Sequence, residues 1–419
     1  MKRSDGEYGT RGRAVRLHRA GVPFSEICRR LRRSRGWLSK WLHRFRSSRW
    51  AGLRTQSRRP RRIPRRSSRA VVARIVGLRA ELEAHRTRRT RYRGVGAAEI
   101  QDLLRAERRT RVPSLSTIER VLRREGVGRA PRRRHGSGQP YPRPRATRPG
   151  DLQQTDLVGP RYLRGPRGVT RFYSMHTIAS VGRGVWASQT RHKTAEALCA
   201  HFVAAWRWLG VPRVSQMDNE MAATGGGRHA YGLSLVIRLH LLLGGGVVFV
   251  PPGEPGRNQL VEWFNGAWQD HVLIHHCPDL RALRRVSLGY CRFYHNRRAN
   301  RGLSVRHDGT RYPGAWLLRH HALLHGVPRE FDLAAYRDAR GRLHLPVARG
   351  QVSWIQKVDP EGFIAINARP YSIGKRRTGE YVQATLFTHR RRVVVYSARH
   401  RRIRSFPFVI TEPIVAPLR

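Results

Sequence analysis

Two segments dense in Arg, Pro and Ser place the tightest limit on how this chain can fold. They read "RTQSRRPRRIPRRSSR" (54–69) and "GRAPRRRHGSGQPYPRPRATRPG" (128–150). Such segments bury too little apolar surface to offset the entropy lost on ordering, so we expect linkers there. The chain is therefore predicted to form several folded regions, and its 419 residues are enough for them.

The pattern around these segments predicts seven consecutive regions. In chain order they are a helix-turn-helix domain (9–49), a basic linker (50–69), a second helix-turn-helix domain (70–127), a basic Pro-rich linker (128–149), an α/β core (150–300), a helical connector (301–340) and a small all-β barrel (341–419). The predicted fold class is therefore multidomain, with all-α, mixed α/β and all-β parts.

The charge of the chain points to its partner. There are 84 Lys and Arg residues against 27 Asp and Glu, a formal net charge of +57. Such a cationic surface needs a polyanion, and nucleic acid fits best; a membrane surface is the alternative. The first ten residues lack the apolar stretch of a signal peptide, and Arg238, His240 and three glycines interrupt the longest apolar run. We expect a cytoplasmic protein with reduced cysteines.

The first region has the spacing of a helix-turn-helix, with a turn at Gly21 and Pro23. Its inward apolar positions are Val15, Leu17, Ile27, Leu31, Leu38, Leu42 and Phe45. The predicted DNA contacts on or near the outer surface of the third helix are Arg35, Trp37, Lys40 and Arg44. Such side chains suit the major groove and its phosphates, although a small three-helix bundle with a solvated basic face would show the same pattern.

The second helix-turn-helix domain (70–127) repeats the theme with three more predicted helices. The last of them, "SLSTIERVLRREGV", starts at a Ser cap and ends at Gly126. Ser116, Thr117 and Arg120 are expected to be exposed at its start and to contact DNA. Two consecutive DNA-binding units imply a long, bipartite DNA site.

In residues 150–300 strand and helix patterns alternate, and three acids there lie at positions where they could converge in the fold. Asp156 lies on the first predicted strand, Asp218 at the end of the fourth, and Glu262 on the helix after the fifth. Three antiparallel strands followed by helix-strand crossovers is the order of a ribonuclease H-like fold, in which the first and fourth strands are neighbours. The alternative treats the aspartates as strand-end caps and Glu262 as a solvated acid.

The helix that carries Glu262 is predicted to have one polar and one apolar side. The polar stripe contains Asn258, Glu262, Asn265 and Gln269, and the apolar side contains Leu260, Val261, Phe264 and Trp268. Glu262 can therefore project from a helix whose other face packs. Three converging carboxylates are hard oxygen ligands for Mg²⁺ or Mn²⁺, and two such ions clamp the attacking and leaving oxygens of a phosphodiester.

The series "QQTDLVGP", "VSQMDNE" and "VPPGEPGRNQLVEWFNG" resembles the catalytic core of DDE transposases and retroviral-type integrases, in particular bacterial insertion-sequence transposases. The resemblance covers residues 150–300 and agrees with the N-terminal helix-turn-helix. It implies that Asp156, Asp218 and Glu262 form the catalytic triad and bind the metal ions. Asn258 matches an asparagine common in the family.

The sequence also departs from the family. Glu220 follows Asp218 closely and is a possible competing acid, and the Gly-rich stretch "MAATGGGRHAYG" lengthens the spacer before Glu262. The His/Cys zinc module of retroviral integrases is absent. Cys277, Cys291 and His295 lack a convincing fourth ligand, so a structural zinc site is not expected there.

Further DNA contacts are expected around and after the core. The motif "YHNRRANRGL" resembles one that closes many transposase cores, and the C-terminal strands resemble the SH3-like domain of Mu-type transposases and integrases. The positions predicted to bind DNA are Arg257, Asn258, Arg297, Arg298, Arg376 and Arg377, together with Arg390 and Arg391. The alternatives are a solvated helix end for the first motif and turn charges for the C-terminal arginines.

The resemblance implies a DNA transposase or integrase of the bacterial nucleoid. It would use two Mg²⁺ or Mn²⁺ ions to cleave 3′ ends of a mobile element and join them to target DNA. A homo-oligomer assembled on double-stranded DNA is implied, and an ATPase helper is possible. A transposase relic that only binds DNA, and a metal-dependent nuclease without strand transfer, remain open.

Overall fold

The computed structural model describes residues 2–55, 67–85, 87, 89–107, 111–128, 139–166, 168–219, 232–251, 253–300, 303, 310–367 and 369–418. These residues divide into two compact units, Met1–Arg69 and Ala70–Arg419. The Gly-rich stretch after Asp218 and the competing acid Glu220 lie outside the described residues. No helix in the described ranges is long and apolar enough to cross a membrane.

The first unit is a three-helix cluster. Its helices are α1 (Lys2–Arg19), α2 (Phe24–Leu31) and α3 (Arg35–Ser48), followed by a 3₁₀ turn (Arg49–Leu53). The core contains Val15, Ile27, Leu38, Leu42 and Phe45 at the predicted inward positions. Ser34 caps α3, since its side chain accepts a hydrogen bond from the Trp37 N–H at 3.2 Å. The predicted helix positions in this region are confirmed.

A second helical cluster follows and belongs to the larger unit. It contains α4 (Arg69–Ala84), α5 (Ala97–Ala106) and α6 (Leu115–Arg124), around a core that includes Ile75, Ile100 and Ile118. Tyr92, between α4 and α5, packs edge-on against Tyr290 with 5.8 Å between ring centroids. Gly289 leaves room for it, because a Cβ there would lie 2.9 Å from the Tyr92 hydroxyl. The cluster therefore packs on the core of its own unit.

A nine-stranded mixed sheet forms the centre of the larger unit. Its first five strands in chain order are β1 (Leu152–Gly165), β2 (Gly168–Ala179), β3 (Val185–Thr190), β4 (Val214–Met217) and β5 (Gly246–Phe249). They lie in the spatial order β3-β2-β1-β4-β5. The first three are antiparallel, and β4 and β5 run parallel to β1. This is the strand order predicted for a ribonuclease H-like core.

Helices cover both faces of this part of the sheet. They are α7 (Ala195–Leu209), α8 (Leu235–Leu242), α9 (Gln259–Val272) and α10 (Leu280–Asn296), with a 3₁₀ turn (Pro255–Asn258) before α9. One core holds Phe202 and Ile237 of α7 and α8, and another holds Phe264 and Tyr290 of α9 and α10. Because side chains alternate along β2, Met175 enters the first core and Phe172 enters the second.

The C-terminal strands β7 (Gln351–Lys357), β10 (Tyr381–Phe387), β11 (Arg392–Ser397) and β12 (Arg402–Pro407) continue the same sheet. Strands β6 (Val347–Ala348) and β13 (Ile414–Val415) form one separate two-stranded sheet, and β8 (Phe363–Ile366) and β9 (Arg369–Ser372) form another. Strand β7 pairs with β5 in parallel, and β10, β11 and β12 follow as an antiparallel meander. A separate SH3-like barrel is thus not confirmed: the predicted core (150–300) and barrel (341–419) share one sheet and one apolar core.

The predicted connector (301–340) packs on the core through a short helix, α11 (Pro313–His320). Its Trp316 is buried against the turn after β2. Gly182 in that turn has φ +85°, and a Cβ there would lie 2.1 Å from the Trp316 ring. Glycine therefore suits this position both by its backbone angle and by the close approach of the ring.

Candidate active site at the ends of two parallel strands

The predicted neighbourhood of the two aspartates is confirmed. Thr155 of β1 is paired with Met217 of β4, so the next residue in each chain segment, Asp156 and Asp218, lies at the same edge of the sheet. Both aspartates line one cavity, together with Lys193 and the apolar side chains of Leu157, Leu198, Phe202 and Met217. Both are partly exposed. The parallel pairing of the two strands therefore brings these carboxylates together from positions 62 residues apart in the sequence.

Asp218 is held by the residue that precedes α9. Asn258 is buried, and its Nδ2 donates to Asp218 Oδ1 at 3.3 Å and to the Thr155 carbonyl at 3.4 Å. Its Oδ1 accepts from Gln216 Nε2 at 2.9 Å. The Gln216 amide also donates to the Arg257 carbonyl at 2.9 Å. The start of the Glu262 helix is thereby tied to β1 and β4.

Asp156 is held by a second amide from the same helix. Asn265 Nδ2 donates to Asp156 Oδ2 at 2.6 Å, and the Leu157 backbone N–H donates to Asp156 Oδ1 at 2.8 Å. On β1, Gln154 Oε1 accepts from the Leu260 N–H at 3.0 Å. These contacts fix α9 against β1. They also place its polar stripe towards the two aspartates, as the sequence pattern predicts.

Glu262 lies on that stripe between the two asparagines that contact the aspartates. Within the described residues its Oε1 is buried and has no hydrogen-bond partner. Burial and the negative charge of Asp156 raise the pKa of Glu262. A buried carboxylate oxygen without a donor is costly unless a cation or a proton joins it. A cation or a proton next to Glu262 would therefore stabilise this site.

The donor set fits a divalent metal ion, although the carboxylates do not form a ready-made metal cluster. Across the residues that the structure describes, no three His, Cys, Asp or Glu side chains lie in an arrangement that could hold a metal. The fit rests on the chemistry of the three carboxylates and on the unpartnered Glu262 oxygen. The oxygens of Asp156 and Asp218 are the other hard ligands at this edge of the sheet.

The three residues that resemble a zinc site have other roles. His295 Nε2 accepts the Val185 N–H at 3.0 Å, which uses the imidazole inside the fold. Cys277 and Cys291 are buried, and burial raises the pKa of the Cys291 thiol to about 12. A neutral buried thiol is a packing group rather than a thiolate ligand.

The four residues of α3 that are predicted to contact DNA differ in their exposure. Arg35 and Lys40 are exposed, whereas Trp37 and Arg44 are half-buried. The Arg44 guanidinium lies 5.0 Å from the centroid of the Trp41 ring. The exposed cations remain predicted DNA contacts.

Helix α6 keeps two of its three predicted contacts exposed. Ser116 and Arg120 are exposed. Thr117 is half-buried and belongs to the helix cap, because its backbone N–H donates to Ser114 Oγ at 3.3 Å and its Oγ1 lies 3.0 Å from the same oxygen. The geometry thus gives Thr117 a structural role at the helix start.

Arg257 and Asn258, which are also predicted to contact DNA, make several contacts inside the protein. The Arg257 guanidinium forms an ion pair with Glu254 at 2.8 Å and lies 3.9 Å from the Tyr141 ring centroid and 5.1 Å from that of Tyr381. Asn258 is 1% exposed and supports Asp218. Both residues fit a supporting role, because their polar groups already have partners in the fold.

The predicted DNA-binding arginines after α10 and in the C-terminal strands also include both half-buried and exposed residues. Arg298 is half-buried, 4.7 Å from the Trp263 ring centroid, and Arg377 pairs with Glu380 at 2.9 Å. The exposed members of the predicted set are Arg297, Arg376, Arg390 and Arg391. The exposed members remain predicted DNA contacts.

Two cavities lined by arginines border residues 139–145. The first is lined by Arg377, Arg399, Arg401 and Arg402 and also contains Glu380, and the second is lined by Arg143, Arg145, Arg213 and His400 and also contains Asp151. The two acids are paired, Glu380 with Arg377 at 2.9 Å and Asp151 with Arg213 at 3.6 Å. The other five arginines are exposed, which makes these cavities a basic surface that the sequence pattern did not single out.

Sequence reasoning missed the residues that support the three acids. Gln154 and Gln216 fix α9, and His176 contacts Asn265 behind Asp156. A signal was present in β2, where Ser174 and His176 put two polar side chains on one face between the apolar Phe172 and Ile178. Two polar residues at alternate positions of a buried strand indicate a polar network on that face.

Comparison with known proteins agrees with the N-terminal prediction. Residues 11–73 match the winged helix-turn-helix family, which confirms a helix-turn-helix in the first region. None of the curated proteins is a match to this sequence.

The matching solved structures include viral integrases at low identity. A chain of the simian T-cell lymphotropic virus intasome in complex with PP2A regulatory subunit B56 gamma is 14% identical, with 76% of this chain and 96% of that chain covered and a TM-score of 0.33. The HTLV-2 integrase catalytic core domain in complex with magnesium is 15% identical, covering 41% and 98%, with a TM-score of 0.30. The catalytic core domain of BIV integrase is 15% identical, covering 42% and 98%, with a TM-score of 0.29. With TM-scores below 0.5, these likenesses carry no argument about fold or activity.

Proposed function

We propose that this protein is a DDE-type DNA transposase or integrase. The observation that carries the proposal is the meeting of Asp156 and Asp218 at the ends of adjacent parallel strands, facing a helix whose Glu262 has a buried, unpartnered oxygen. The resemblance of the motifs around these acids to DDE transposases supports it. The winged helix-turn-helix match of residues 11–73 supports it as well.

Asp156, Asp218 and Glu262 would hold the divalent ions. When bound, Mg²⁺ or Mn²⁺ supplies a Lewis acid that activates the attacking oxygen and stabilises the leaving one. The chain itself orients the ligands: Asn258 holds Asp218, and Asn265 holds Asp156. The raised pKa of Glu262 is lowered again once a cation replaces the missing donor.

The substrate is proposed to be double-stranded DNA, both element ends and target. Lys193 lines the cavity of the two aspartates and supplies positive charge beside a bound phosphate. The exposed cations of α3 and the two arginine-lined cavities are the proposed phosphate contacts. Affinity should therefore fall steeply with salt, as for any protein that neutralises many phosphates.

The proposed reaction also sets expectations for assembly. Two element ends must be brought together for paired joining, so we propose that the protein forms a homo-oligomer on DNA. An ATPase helper that delivers target DNA is compatible with this scheme. Terminal inverted repeats beside the coding region would be a simple supporting observation.

The test incubates the purified full chain with labelled DNA from the flanks of its gene and Mg²⁺ or Mn²⁺, and resolves nicked from joined products. The variants are Glu262→Gln and, as a matched control, Asp270→Asn, since Asp270 is an exposed acid on the same helix. Joined products from wild type and the control, absent with Glu262→Gln, are the expected result.

Other outcomes separate the alternatives. Nicked products without joined ones would replace the transposase with a metal-dependent nuclease. Equal DNA binding by all three proteins, with no cleavage by any, would favour a DNA-binding relic and contradict the proposed activity.

A further inference from the structure

Buried polar side chains between β2 and α9 form a chain of hydrogen bonds that ends at Asp156. Asn265 Nδ2 donates to Asp156 Oδ2 at 2.6 Å, and Asn265 Oδ1 lies 2.6 Å from His176 Nδ1. On the other side of the imidazole, His176 Nε2 lies 2.7 Å from Ser174 Oγ. Asn265, His176 and Ser174 are all buried. No solvent is needed to connect these groups to the carboxylate.

The hydrogen-bonded network continues from Ser174 to Gln189 on β3 and Ser287 on α10. Gln189 Nε2 donates to Ser174 Oγ at 3.0 Å and to Ser287 Oγ at 2.9 Å. Trp268 Nε1 donates to Ser287 Oγ at 2.8 Å. The hydrogen bonds thus link β2, β3, α9 and α10, which are the elements that surround the Asp156 side of the sheet.

The direction of the hydrogen bonds between Asp156 and Ser174 is set from the carboxylate. An ionised Asp156 can only accept. Asn265 must therefore turn its amide nitrogen to Asp156, which leaves its oxygen to accept from His176 Nδ1–H. His176 Nε2 then accepts from the Ser174 hydroxyl. Burial lowers the pKa of His176 to about 4, in agreement with a neutral imidazole protonated on Nδ1.

We propose that His176 and Asn265 are positioning residues that orient the Asp156 carboxylate for a divalent cation; this inference rests on the function proposed above. Asn265 fixes one carboxylate oxygen and the Leu157 N–H fixes the other, so the lone pairs that remain point in defined directions. Partners behind a metal ligand orient it in this way, and their loss typically costs about 10–100-fold in metal affinity.

Among the residues that the structure describes, His240 is a buried histidine with contacts away from this network. His240 is fully buried, and its Nδ1 lies 2.7 Å from the Val236 carbonyl within its own helix. Its ring packs against Phe202 and Trp206. Substitution of His240 therefore controls for the loss of a buried imidazole at a place away from Asp156.

The test measures Mn²⁺ binding to the full chain without DNA, from the electron paramagnetic resonance signal of free Mn²⁺. His176→Leu should weaken binding by about 10–100-fold. His176→Asn places an amide nitrogen where Nδ1 was and should restore binding close to wild type. His240→Leu should bind Mn²⁺ as wild type does. Thermal unfolding of each variant establishes that it is folded.

Equal Mn²⁺ binding by folded His176→Leu and wild type would overturn the inference and leave the network a purely structural role. If His176→Leu does not fold, the pair His176→Asn and His176→Gln decides, because Gln keeps the contact to Ser174 but does not reach Asn265. Equal binding by this pair would overturn the inference. Wild-type protein that binds no Mn²⁺, or binds it equally after Asp156→Asn, would instead overturn the proposed function and this inference with it.

Discussion

The two ends of the central sheet differ in the side chains that they bury. Around β1 and β2 the apolar core beneath α9 also contains a polar network, with His176, Asn265 and Gln189 buried and hydrogen-bonded. Across β7, β10 and β11 the inner face is apolar, with side chains such as Trp354 and Val382 in one continuous core. Apolar burial stabilises a fold without regard to direction, whereas buried hydrogen bonds fix orientation. The C-terminal end therefore mainly stabilises the fold, whereas the β1–β2 end orients the side chains around Asp156.

The largest expected effect on folding lies at the C-terminal end. Trp354 is 1% exposed and stacks near Phe249 with 6.0 Å between ring centroids, which joins β7 to β5. Trp354→Ala should lower the free energy of unfolding by about 3–5 kcal/mol, measured by urea denaturation. Mn²⁺ affinity of the folded fraction should stay unchanged. A loss below about 1 kcal/mol would contradict the claim that the C-terminal end stabilises the fold, since such small values are usual for surface positions.

An intermediate effect is expected on the outer surface of the same end. Arg401 and Arg402 line one arginine-rich cavity and are exposed. Replacing both with Ala should reduce the slope of log K for DNA binding against log salt by about 2, because each phosphate contact contributes about 0.9. Arg342→Ala is the control, since Arg342 pairs with Asp338 at 3.1 Å and lines neither cavity. An unchanged slope in the double variant would exclude this surface from DNA binding.

The smallest expected effect concerns the ion pair that ties the C-terminal segment to α8. Hydrogen bonds from Arg238 lower the pKa of Glu412. An acid with a lowered folded-state pKa stabilises the fold above its unfolded pKa and loses that contribution as the pH falls through the folded pKa.

Glu412→Gln should therefore reduce stability by only about 0.5–1 kcal/mol at pH 7, because the Glu412 side chain is 41% exposed and solvent screens the ion pair. The difference from wild type should shrink as the pH falls below 4.5, the usual pKa of the group. Glu361→Gln, at an exposed turn, is the control. A difference that grows towards acid pH would contradict the assigned sign.

The parts of the fold that depend on local pattern could be predicted from the sequence. Helix positions in the first region, the five strands of the core and the neighbourhood of Asp156 and Asp218 follow from periodicity and strand order. The pairing of β7 with β5 could not be foreseen, because it joins segments about a hundred residues apart and no local pattern encodes it. For that reason the sequence predicted a separate barrel, which the structure does not confirm.

The supporting residues of the site were hidden for a related reason. His176 lies opposite Asp156 only because of the register of β1 and β2. That register depends on where the turn between the strands falls, and β1 continues from Asp156 as far as Gly165 before that turn. Asn258 and Asn265 were visible on the polar stripe, but their partners were not. Sequence pattern thus places acids on elements, and strand register decides what holds them.

The most direct measurement of the central claim is anomalous X-ray diffraction from crystals of the protein soaked with Mn²⁺. The account predicts anomalous peaks bounded by Asp156, Asp218 and Glu262, with two ions about 3.5–4 Å apart. These peaks should be lost in Glu262→Gln, while peaks at lattice contacts persist. Strong peaks elsewhere with none at these three carboxylates, in crystals that remain well ordered, would contradict a metal-dependent active site at the ends of β1 and β4.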